Sequence, residues 1–353
     1  MMYAYVGCYT SKSRNGRGTG IGVHRMDEVS GAWAPVQIVP DLVNPSMLAL
    51  DRSGRFLYSA HGGDEDYVTA FAIEESTGRL TRIGKQSTGG KNGVHLAVDA
   101  TNRFLVVGNY ASGTVAVLPI GADGSLGPLS DLVTLTGTPG PDPAQQASSH
   151  PHDVPFDRSG RFVVVPDKGF DKVFLFRLDT ASGKLVEGRP AAVTARPGSA
   201  PRHADFHPTA PYAYVCNELD STVTTYRFDP EGGVLEPLQV ISTLPAGFTA
   251  KNTTAEIAVA PSGRFVYVSN RGHESIAIFA VDAASGRLSP TGWEPTQGEK
   301  PRFFALDPTG TFLYAANQES DTVVCFRVDR ATGTLSATGH VTRTGSPSSI
   351  VFR

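Results

Sequence analysis

The sequence predicts an all-β fold: a seven-bladed β-propeller of four-stranded blades, formed by residues 1–353 as a single domain. Three observations support this prediction. One glycine turn recurs seven times, apolar and polar residues alternate between the turns, and each end of the chain carries part of a blade. The last observation predicts a ring that is closed by pairing of the N- and C-terminal strands.

The recurring turn is polar, ends in glycine and is followed within two residues by an apolar side chain. Neighbouring copies are 46 to 59 residues apart. Four-stranded propeller blades repeat about every 40–50 residues, so each turn marks one blade. The seven glycines are Gly31, Gly78, Gly124, Gly183, Gly233, Gly286 and Gly333.

Between these turns each unit has the same order of segments. An inner strand leads to a second turn such as RSGR or PTGT, and an aromatic-led strand such as FLYAAN and an alternating strand such as KVFLFRLD follow. Period-two alternation interrupted by Gly, Pro and Asp is typical of short, half-buried strands. The units are therefore predicted to contain strands and no substantial helix.

The two ends of the chain supply complementary parts of one blade. The opening YAYVGC matches the second strand of a unit, and the final SPSSIVF matches the first. We therefore expect residues 3–8 and 346–352 to lie in one sheet, which removes a free sheet edge.

Composition limits the classes of partner and location. The formal net charge is −3, and no block of like charge occurs, which argues against a nucleic-acid partner. No basic region precedes an apolar core at the start, and no segment is apolar for the length of a membrane span. Cys8, Cys216 and Cys325 are odd in number and lack metal-type spacing, which favours a reducing compartment. We expect a cytoplasmic protein without a membrane partner.

A functional site is expected at one mouth of the central channel, because the start of each first strand and the end of each antiparallel second strand meet there. The second strands end in a repeated polar residue that suits a turn, and Asn317 of this set is also kept as a substrate-binding candidate. The next residue differs in every blade and is free for chemistry. These residues are Gly62, Tyr110, Lys168, Glu218, Arg271 and Gln318.

The first-strand starts bring further ionisable residues to the same mouth. They occur in the segments KNGVH, HPHD, PRH, AEI and PRF. The candidates are His95, His150, His152, Arg202, Glu256 and Arg302. Such residues can bind an anionic ligand, or they can pair across neighbouring blades and hold the ring together. Both interpretations stay open at this point.

At these residues the sequence resembles the propeller lactonase family, which includes bacterial 6-phosphogluconolactonases of the propeller type and fungal carboxy-muconate cyclases. The resemblance covers essentially the whole chain. The matching segments include SSHPHDVPFDRSGRFVVVPDKG, APRHADFHPTAPYAYVCNEL, AEIAVAPSGRFVYVSNRG and PRFFALDPTGTFLYAAN. It implies an active-site cluster of His152, Arg202, Glu218 and Arg271.

One segment departs from the family pattern. Similar proteins often carry Pro-Arg-His where this chain has Asn92, Gly93, Val94 and His95. An arginine is therefore not expected from this blade, and His95 is left as a secondary candidate.

The predicted function is hydrolysis of a sugar δ-lactone, in the manner of a 6-phosphogluconolactonase. A lactone is an activated ester, so hydrolysis needs a positioned water, a base and cations for the developing oxyanion. His152 or Glu218 can be the base, and His152 is favoured because an ordinary histidine titrates near neutral pH. His95, His150, Glu256, Arg302 and Asn317 are expected to bind a small anionic sugar lactone.

Two other functions remain possible from the sequence: a lactonising cycloisomerase acting on a muconate-type diacid, and a non-enzymatic binding propeller. The chain has no G-x-S-x-G elbow, phosphate-binding loop or dinucleotide fingerprint, so no cofactor is expected. His150 and His152 lack a third ligand at readable spacing, so no metal is expected either.

Overall fold

A computed structural model describes residues 1–353. The chain forms 27 β-strands in seven sheets, and one short 3-10 helix spans Lys12–Arg14. Within each sheet, consecutive strands are antiparallel neighbours. The architecture is the predicted seven-bladed β-propeller.

Both chain ends contribute to the closing blade, which has the strand order β27-β1-β2-β3. Its strands are β1 (Met2–Cys8), β2 (Ile21–Met26), β3 (Trp33–Val39) and β27 (Pro347–Phe352). β1 pairs antiparallel with β27 from Ala4 opposite Phe352 to Cys8 opposite Pro347. The predicted closure of the ring is confirmed.

The other six blades follow in chain order, and in each four-stranded blade the strand that comes first along the chain is the innermost. Blade 1 holds β4 (Pro45–Leu50), β5 (Phe56–His61), β6 (Tyr67–Ile73) and β7 (Leu80–Ser87). Blade 2 holds β8 (Gly93–Val98), β9 (Phe104–Asn109), β10 (Thr114–Pro119) and β11 (Asp131–Thr134). Blade 3 holds β12 (Phe162–Asp167), β13 (Lys172–Asp179) and β14 (Lys184–Thr194).

Blades 4 to 6 complete the ring. Blade 4 holds β15 (Pro201–Phe206), β16 (Tyr212–Asn217), β17 (Thr222–Asp229) and β18 (Val234–Ser242). Blade 5 holds β19 (Thr253–Val259), β20 (Phe265–Arg271), β21 (Ser275–Val281) and β22 (Leu288–Pro295). Blade 6 holds β23 (Pro301–Leu306), β24 (Phe312–Asn317), β25 (Thr322–Val328) and β26 (Leu335–Arg343).

Blade 3 differs from the four-stranded prediction at its innermost position. The segment HPHDVPF lies where the first strand would be, but it forms only isolated bridges, Pro151 to Asp167 and Phe156 to Val163. Pro151 and Pro155 have no N–H to donate, so a continuous ladder cannot form. This irregular segment carries His152 into the channel mouth.

The seven turn glycines explain why the repeat is read so clearly in the sequence. All have positive φ, between 64° and 79°. Each also touches the leading aromatic ring of a neighbouring blade, and a Cβ on Gly233 would come 2.2 Å from the ring of Phe162. Only glycine meets both demands.

The apolar core is divided into layers between adjacent blades. One layer joins Tyr58 of blade 1 to Leu105 of blade 2, and another joins Tyr267 of blade 5 to Phe326 of blade 6. The tyrosine hydroxyls add specific contacts, since Tyr214 donates to the Gly286 carbonyl at 3.0 Å. Adjacent blades therefore fix one another.

No helix of the chain has the length and apolar character needed to cross a membrane. All three cysteines are buried and unpaired.

Candidate active site

The innermost strands carry β-bulges beside one mouth of the channel. In blade 4, Pro201 opposes Asn217 and His203 opposes Cys216, so Arg202 has no partner residue. Arg302 is left over in the same way in blade 6. A bulge redirects the side chain of the extra residue.

The same irregularity occurs in four further sheets. The extra residues there are Ser46, Val94, one of Ala255 and Glu256, and Ser348. Ser46, Val94, Arg202, Arg302 and Ser348 all line cavities at the channel mouth. In the KNGVH segment, Val94 occupies the bulge position that Arg202 and Arg302 occupy in their own blades. Blade 2 therefore presents valine at the mouth where those blades present arginine.

The main cavity at this mouth has a volume of about 160 Å³. The structure brings four predicted site residues together around it, and adds residues from the variable position after the second strand. The lining residues are Arg14, Asn92, Val94, Tyr110, His152, Lys168, Glu218, Arg271 and Arg302. A wider groove of about 470 Å³ borders it and shares Arg271.

Glu218 lies at the centre of a cluster of three cations. Its Oε1 accepts a hydrogen bond from Lys168 Nζ at 2.9 Å. Its Oε2 lies 3.1 Å from Arg202 Nε and 3.4 Å from Arg271 Nη2. Burial raises the pKa of Glu218, but Arg271, Lys168 and Arg202 outweigh burial and hold it well below its usual range. Glu218 is therefore a permanent carboxylate at neutral pH.

The three cations are fixed by further contacts. Arg202 is 2% exposed and donates to the Ala255 carbonyl, while Arg271 Nη2 donates to the Thr254 carbonyl at 2.6 Å. Lys168 Nζ also donates to Gln145 Oε1 at 2.8 Å. An ammonium has three N–H groups, so one remains for a ligand. Burial lowers the pKa of Lys168 and brings that of Arg271 to about 10.

A second chain of contacts runs behind His152. His152 Nδ1 lies 3.1 Å from His203 Nε2, and His203 Nδ1 lies 3.0 Å from Glu256 Oε2. When Glu256 is ionised, His203 Nδ1 donates to it and His203 Nε2 accepts from His152 Nδ1–H. His152 Nε2 is then unprotonated and available as a base.

The pKa values along this chain differ from those of exposed groups. Burial, followed by the charge of Arg202, lowers the pKa of both His152 and His203 well below the usual range. The expected titration of His152 near neutral pH is therefore corrected: the imidazole is neutral there. Burial raises the pKa of Glu256 to about 8, against the opposing effect of Arg202.

The remaining predicted residues occupy supporting positions. His95 Nδ1 lies 2.9 Å from Asp153 Oδ1, and Asp153 Oδ2 accepts the Ala204 N–H at 2.8 Å. The ring of His150 stacks on Tyr110 with centroids 4.3 Å apart. The His95 and His150 side chains adjoin the cavity residues but do not line the main cavity.

Asn317 does not line the main cavity. It is fully buried, and its amide donates to the Thr296 carbonyl at 3.0 Å. Asn109, Asn217 and Asn270 are buried at the equivalent positions. Asn109 and Asn217 donate to Thr114 and Thr222 on the neighbouring strands, and Asn270 donates to the Thr243 carbonyl just after β18. The repeated amide therefore holds the end of the second strand, and in Asn317 the structure gives no contact with the site.

Sequence reasoning missed four residues around the site. Lys168 and Tyr110 stood at the variable position and could have been chosen by the same rule as Glu218. His203 was visible in PRH, but its contact with His152 depends on tertiary packing. Arg14 lies in a loop without a counterpart in the other blades, so the repeat gave no signal for it.

No group of three or more His, Cys, Asp or Glu side chains is arranged to hold a metal ion.

Residues 3–352 match the family model described as lactonase, 7-bladed beta-propeller. The chain belongs to this lactonase family. The resemblance predicted from the sequence is thereby confirmed over nearly its full length.

Individual members of the lactonase family agree with this assignment. The chain is 36% identical to the 6-phosphogluconolactonase of Bacillus subtilis over 86% of this chain and 84% of that protein. It is 37% identical to the Pectobacterium carotovorum 6-phosphogluconolactonase over 76% and 75% of the two chains. The solved structure of Pseudomonas aeruginosa periplasmic gluconolactonase superposes with a TM-score of 0.91 at 33% identity, covering 100% and 99%.

Proposed function

We propose that this protein hydrolyses a sugar δ-lactone to its open-chain hydroxy acid. The single observation that carries the proposal is a concave mouth in which a neutral buried imidazole, His152, faces a cluster of fixed cations. This arrangement supplies a base and stabilises an oxyanion, as lactone hydrolysis requires. The names of the family and of its members support the same reaction.

His152 is the proposed base. A water attacks the lactone carbonyl carbon while His152 Nε2 takes its proton, and the carbonyl oxygen becomes an oxyanion. The bond between that carbon and the ring oxygen then breaks, and the ring oxygen takes the proton back from His152. The product is a carboxylic acid that ionises in water, and the enzyme returns to its starting state.

Lys168 and Arg271 are the proposed electrostatic partners of the oxyanion. Both line the cavity with His152, and both are held in place before substrate arrives. Fixed donors of this kind cost little reorganisation when charge develops. Arg202 is fully buried and acts mainly by holding Glu218.

Glu218 is proposed as a strut and not as the base. Both of its oxygens are occupied by cations, so neither is free to take a proton from water. Its carboxylate fixes the positions of Lys168, Arg202 and Arg271 and offsets part of their charge.

The test is a hydrolysis assay on 6-phosphogluconolactone, plain gluconolactone and a muconate diacid, with the spontaneous rate subtracted. We expect catalysed hydrolysis of a sugar lactone and a fall in kcat of about 10²–10⁴ in His152→Ala, the usual contribution of general base catalysis. Exposed His340 provides a matched control, and His340→Ala should keep wild-type kinetics.

His152→Gln separates chemistry from packing, because an amide can still contact His203 but cannot act as a base. Full activity in both His152 variants with wild-type thermal stability would contradict the proposed base. Conversion of the muconate alone would favour a cycloisomerase, and no conversion of any substrate would favour a binding propeller.

The cellular location stays a prediction. The buried, unpaired cysteines agree with the cytoplasm, whereas the superposed Pseudomonas structure is named as periplasmic. Fractionation of the native host with an antibody to this chain would distinguish the two compartments.

A further inference from the structure

The longest connection between neighbouring blades spans residues 135–149. It leads from β11 of blade 2 to the HPHDVPF segment of blade 3. It also explains why Gly124 and Gly183 are 59 residues apart, the widest spacing between neighbouring repeat glycines. Loops of this length are uncommon in compact domains, and many of them are functional. The contacts of this loop with the channel mouth therefore indicate what the extra residues do.

The loop is fixed to the turn after β12, which carries Lys168. Gln146 is fully buried, and its Nε2 donates to the Lys168 carbonyl and to Asp171 Oδ1, each at 2.8 Å. The hydroxyl of Ser149 donates to the carboxylate of Asp167, the residue before Lys168. The loop therefore contacts this turn on both sides of the lysine.

Gln145, next to the buried Gln146, contacts the lysine ammonium itself. Gln145 is an exposed residue, but its Oε1 accepts a hydrogen bond from Lys168 Nζ at 2.8 Å. The Lys168 side chain is 5% exposed and also donates to Glu218 Oε1 at 2.9 Å. Two of the three ammonium N–H groups are thus directed by protein oxygens, and one remains for a ligand.

A lysine needs more than one contact to hold its ammonium in a single orientation. Its four-carbon stem is flexible and its donors rotate, whereas an arginine presents a rigid planar fork. With Glu218 as the only acceptor, the ammonium of Lys168 would turn about that contact. The uncharged Oε1 of Gln145 adds the second contact without cancelling the positive charge. A donor fixed in this way can stabilise an oxyanion without reorganising as charge develops.

We propose that Gln145 is a positioning residue, which orients the Lys168 ammonium so that its remaining N–H points at the developing oxyanion. This inference rests on the proposed lactone hydrolysis, in which Lys168 stabilises that oxyanion. Gln145 does not line the main cavity, so it acts through Lys168 and not on the substrate. The long loop thereby takes part in turnover.

The first test measures kcat and KM separately for a sugar lactone in Gln145→Ala. We expect kcat to fall about 10–100-fold, since a small displacement of a catalytic group is costly. The KM should stay within about twofold of wild type, because the oxyanion exists only in the transition state. Gln145→Glu keeps an acceptor oxygen and should recover part of kcat. Ser148 is exposed on the same loop, so Ser148→Ala is the matched control and should keep wild-type kinetics.

A double-mutant cycle shows whether the effect of Gln145 passes through Lys168. Lys168→Met keeps a long unbranched side chain but removes the ammonium, so Gln145→Ala should lower kcat no further in that background. An equal fall in both backgrounds would overturn the proposal, and so would wild-type kcat in Gln145→Ala. Failure of the wild-type protein to hydrolyse any sugar lactone would contradict the proposed function, and the positioning role with it. The two failures are distinct, since one is read in the variants and the other in the wild type.

The second readout does not depend on activity, because it follows the pKa of Lys168. Burial is the main cause that lowers this pKa, and the Glu218 carboxylate opposes it. The other variants leave in place the charged or titratable groups that face Lys168 or line the same cavity. These are Glu218, Arg271, Arg202, His152, Tyr110, Arg14 and Arg302.

The measurement is a carbon-13 NMR titration of protein labelled at the lysine Cε, with Lys168→Met to assign the signal. An acceptor on the ammonium favours its charged form, so Gln145→Ala should lower the pKa of Lys168. Gln145→Glu places a negative charge there and should raise the pKa above the wild-type value. Ser148→Ala should leave it unchanged. A loop that served only for packing would move the pKa in neither Gln145 variant, and that result would overturn the proposal.

Discussion

The two ends of the inner hairpins differ in how closely they repeat from blade to blade. At the face opposite the site, Asp51, Asp99, Asp157 and Asp307 each accept the backbone N–H of the aromatic residue five positions ahead, at 2.6 to 2.8 Å. At the site mouth, equivalent positions hold Tyr110, Lys168, Glu218 and Arg271.

The repeated positions therefore stabilise the fold, whereas the variable positions at the mouth can carry groups for chemistry. The turns between the first and second strands close the same backbone geometry, and in four blades the same aspartate contact closes them. At the mouth, a buried amide holds the end of the second strand in four blades, one residue before the variable position. These residues are Asn109, Asn217, Asn270 and Asn317. The next position is then free to carry a different functional group in each blade.

Among substitutions at the mouth, Glu218→Gln is expected to have the largest effect on stability. This change leaves Lys168, Arg202 and Arg271 buried without their shared carboxylate. Breaking a buried pair costs about 3–5 kcal/mol, so we expect a loss of that order in the free energy of unfolding, measured with denaturant. The KM should rise, while the pH profile of turnover keeps its shape because His152, and not Glu218, is the proposed base.

Glu319 takes part in more exposed ion pairs, so Glu319→Gln is the control for Glu218→Gln. It contacts Arg17 and Lys300, but its side chain is 28% exposed. Glu319→Gln should therefore cost only about 0–1 kcal/mol. An equally small loss in Glu218→Gln would refute the role of Glu218 as a strut.

A smaller effect is expected on kcat when the pH changes. It acts through the contacts that join His152 to His203 and His203 to Glu256. Below a pH of about 8, Glu256 is mainly protonated and donates to His203 Nδ1. His203 Nε2–H then donates to His152 Nδ1, and the remaining proton sits on His152 Nε2, where it blocks the base. We expect kcat to rise about tenfold from neutral pH to a plateau above 8.

The measurement is kcat against pH for wild type and Glu256→Gln, with spontaneous hydrolysis subtracted. The variant has no ionisable group at this position, so the rise should disappear. The other charged or titratable neighbours of Glu256 are Asp153, His95, Arg202, Asp205 and Cys216. A rise that persists in Glu256→Gln would assign it to one of them and remove Glu256 as a positioning residue.

The fold and the position of the site could be predicted from the sequence, whereas the contacts within the site could not. The fold was predictable because glycine is required at the same turn in every blade, by both positive φ and the contact with a neighbouring ring. The channel mouth followed from strand order alone. Lys168 and Glu218 stand at one shared position, but their contact depends on how neighbouring blades pack.

Other features of the site arise only in three dimensions. In the sequence, the only sign of the bulges that redirect Arg202 and Arg302 is a proline before each arginine. The low pKa of His152 comes from burial and from Arg202, both set by tertiary packing. Arg14 reaches the mouth from a non-repeated loop, where no comparison between blades is available.

The smallest effect on catalysis is expected at the opposite face, in Asp307→Asn. Asp307 Oδ1 accepts the N–H groups of Thr311 and Phe312, and Oδ2 accepts from both the N–H and the hydroxyl of Thr309. An asparagine keeps one acceptor oxygen but presents an NH₂ group to Thr309. We expect a loss of about 1–2 kcal/mol in the free energy of unfolding.

Blade 5 shows why the cost should stay modest. It has Ala260 at the equivalent position, and its turn still closes with the Ala260 N–H donating to the Phe265 carbonyl at 2.9 Å and Gly263 N–H donating to Ala260 at 2.8 Å. The carboxylate therefore strengthens a turn that the backbone can already form. Because Asp307 lies at the other end of the hairpin, kcat and KM of Asp307→Asn should remain within about twofold of wild type. A tenfold fall in kcat/KM with the fold intact would show that the two faces are coupled, and would break the separation between repeated and variable positions.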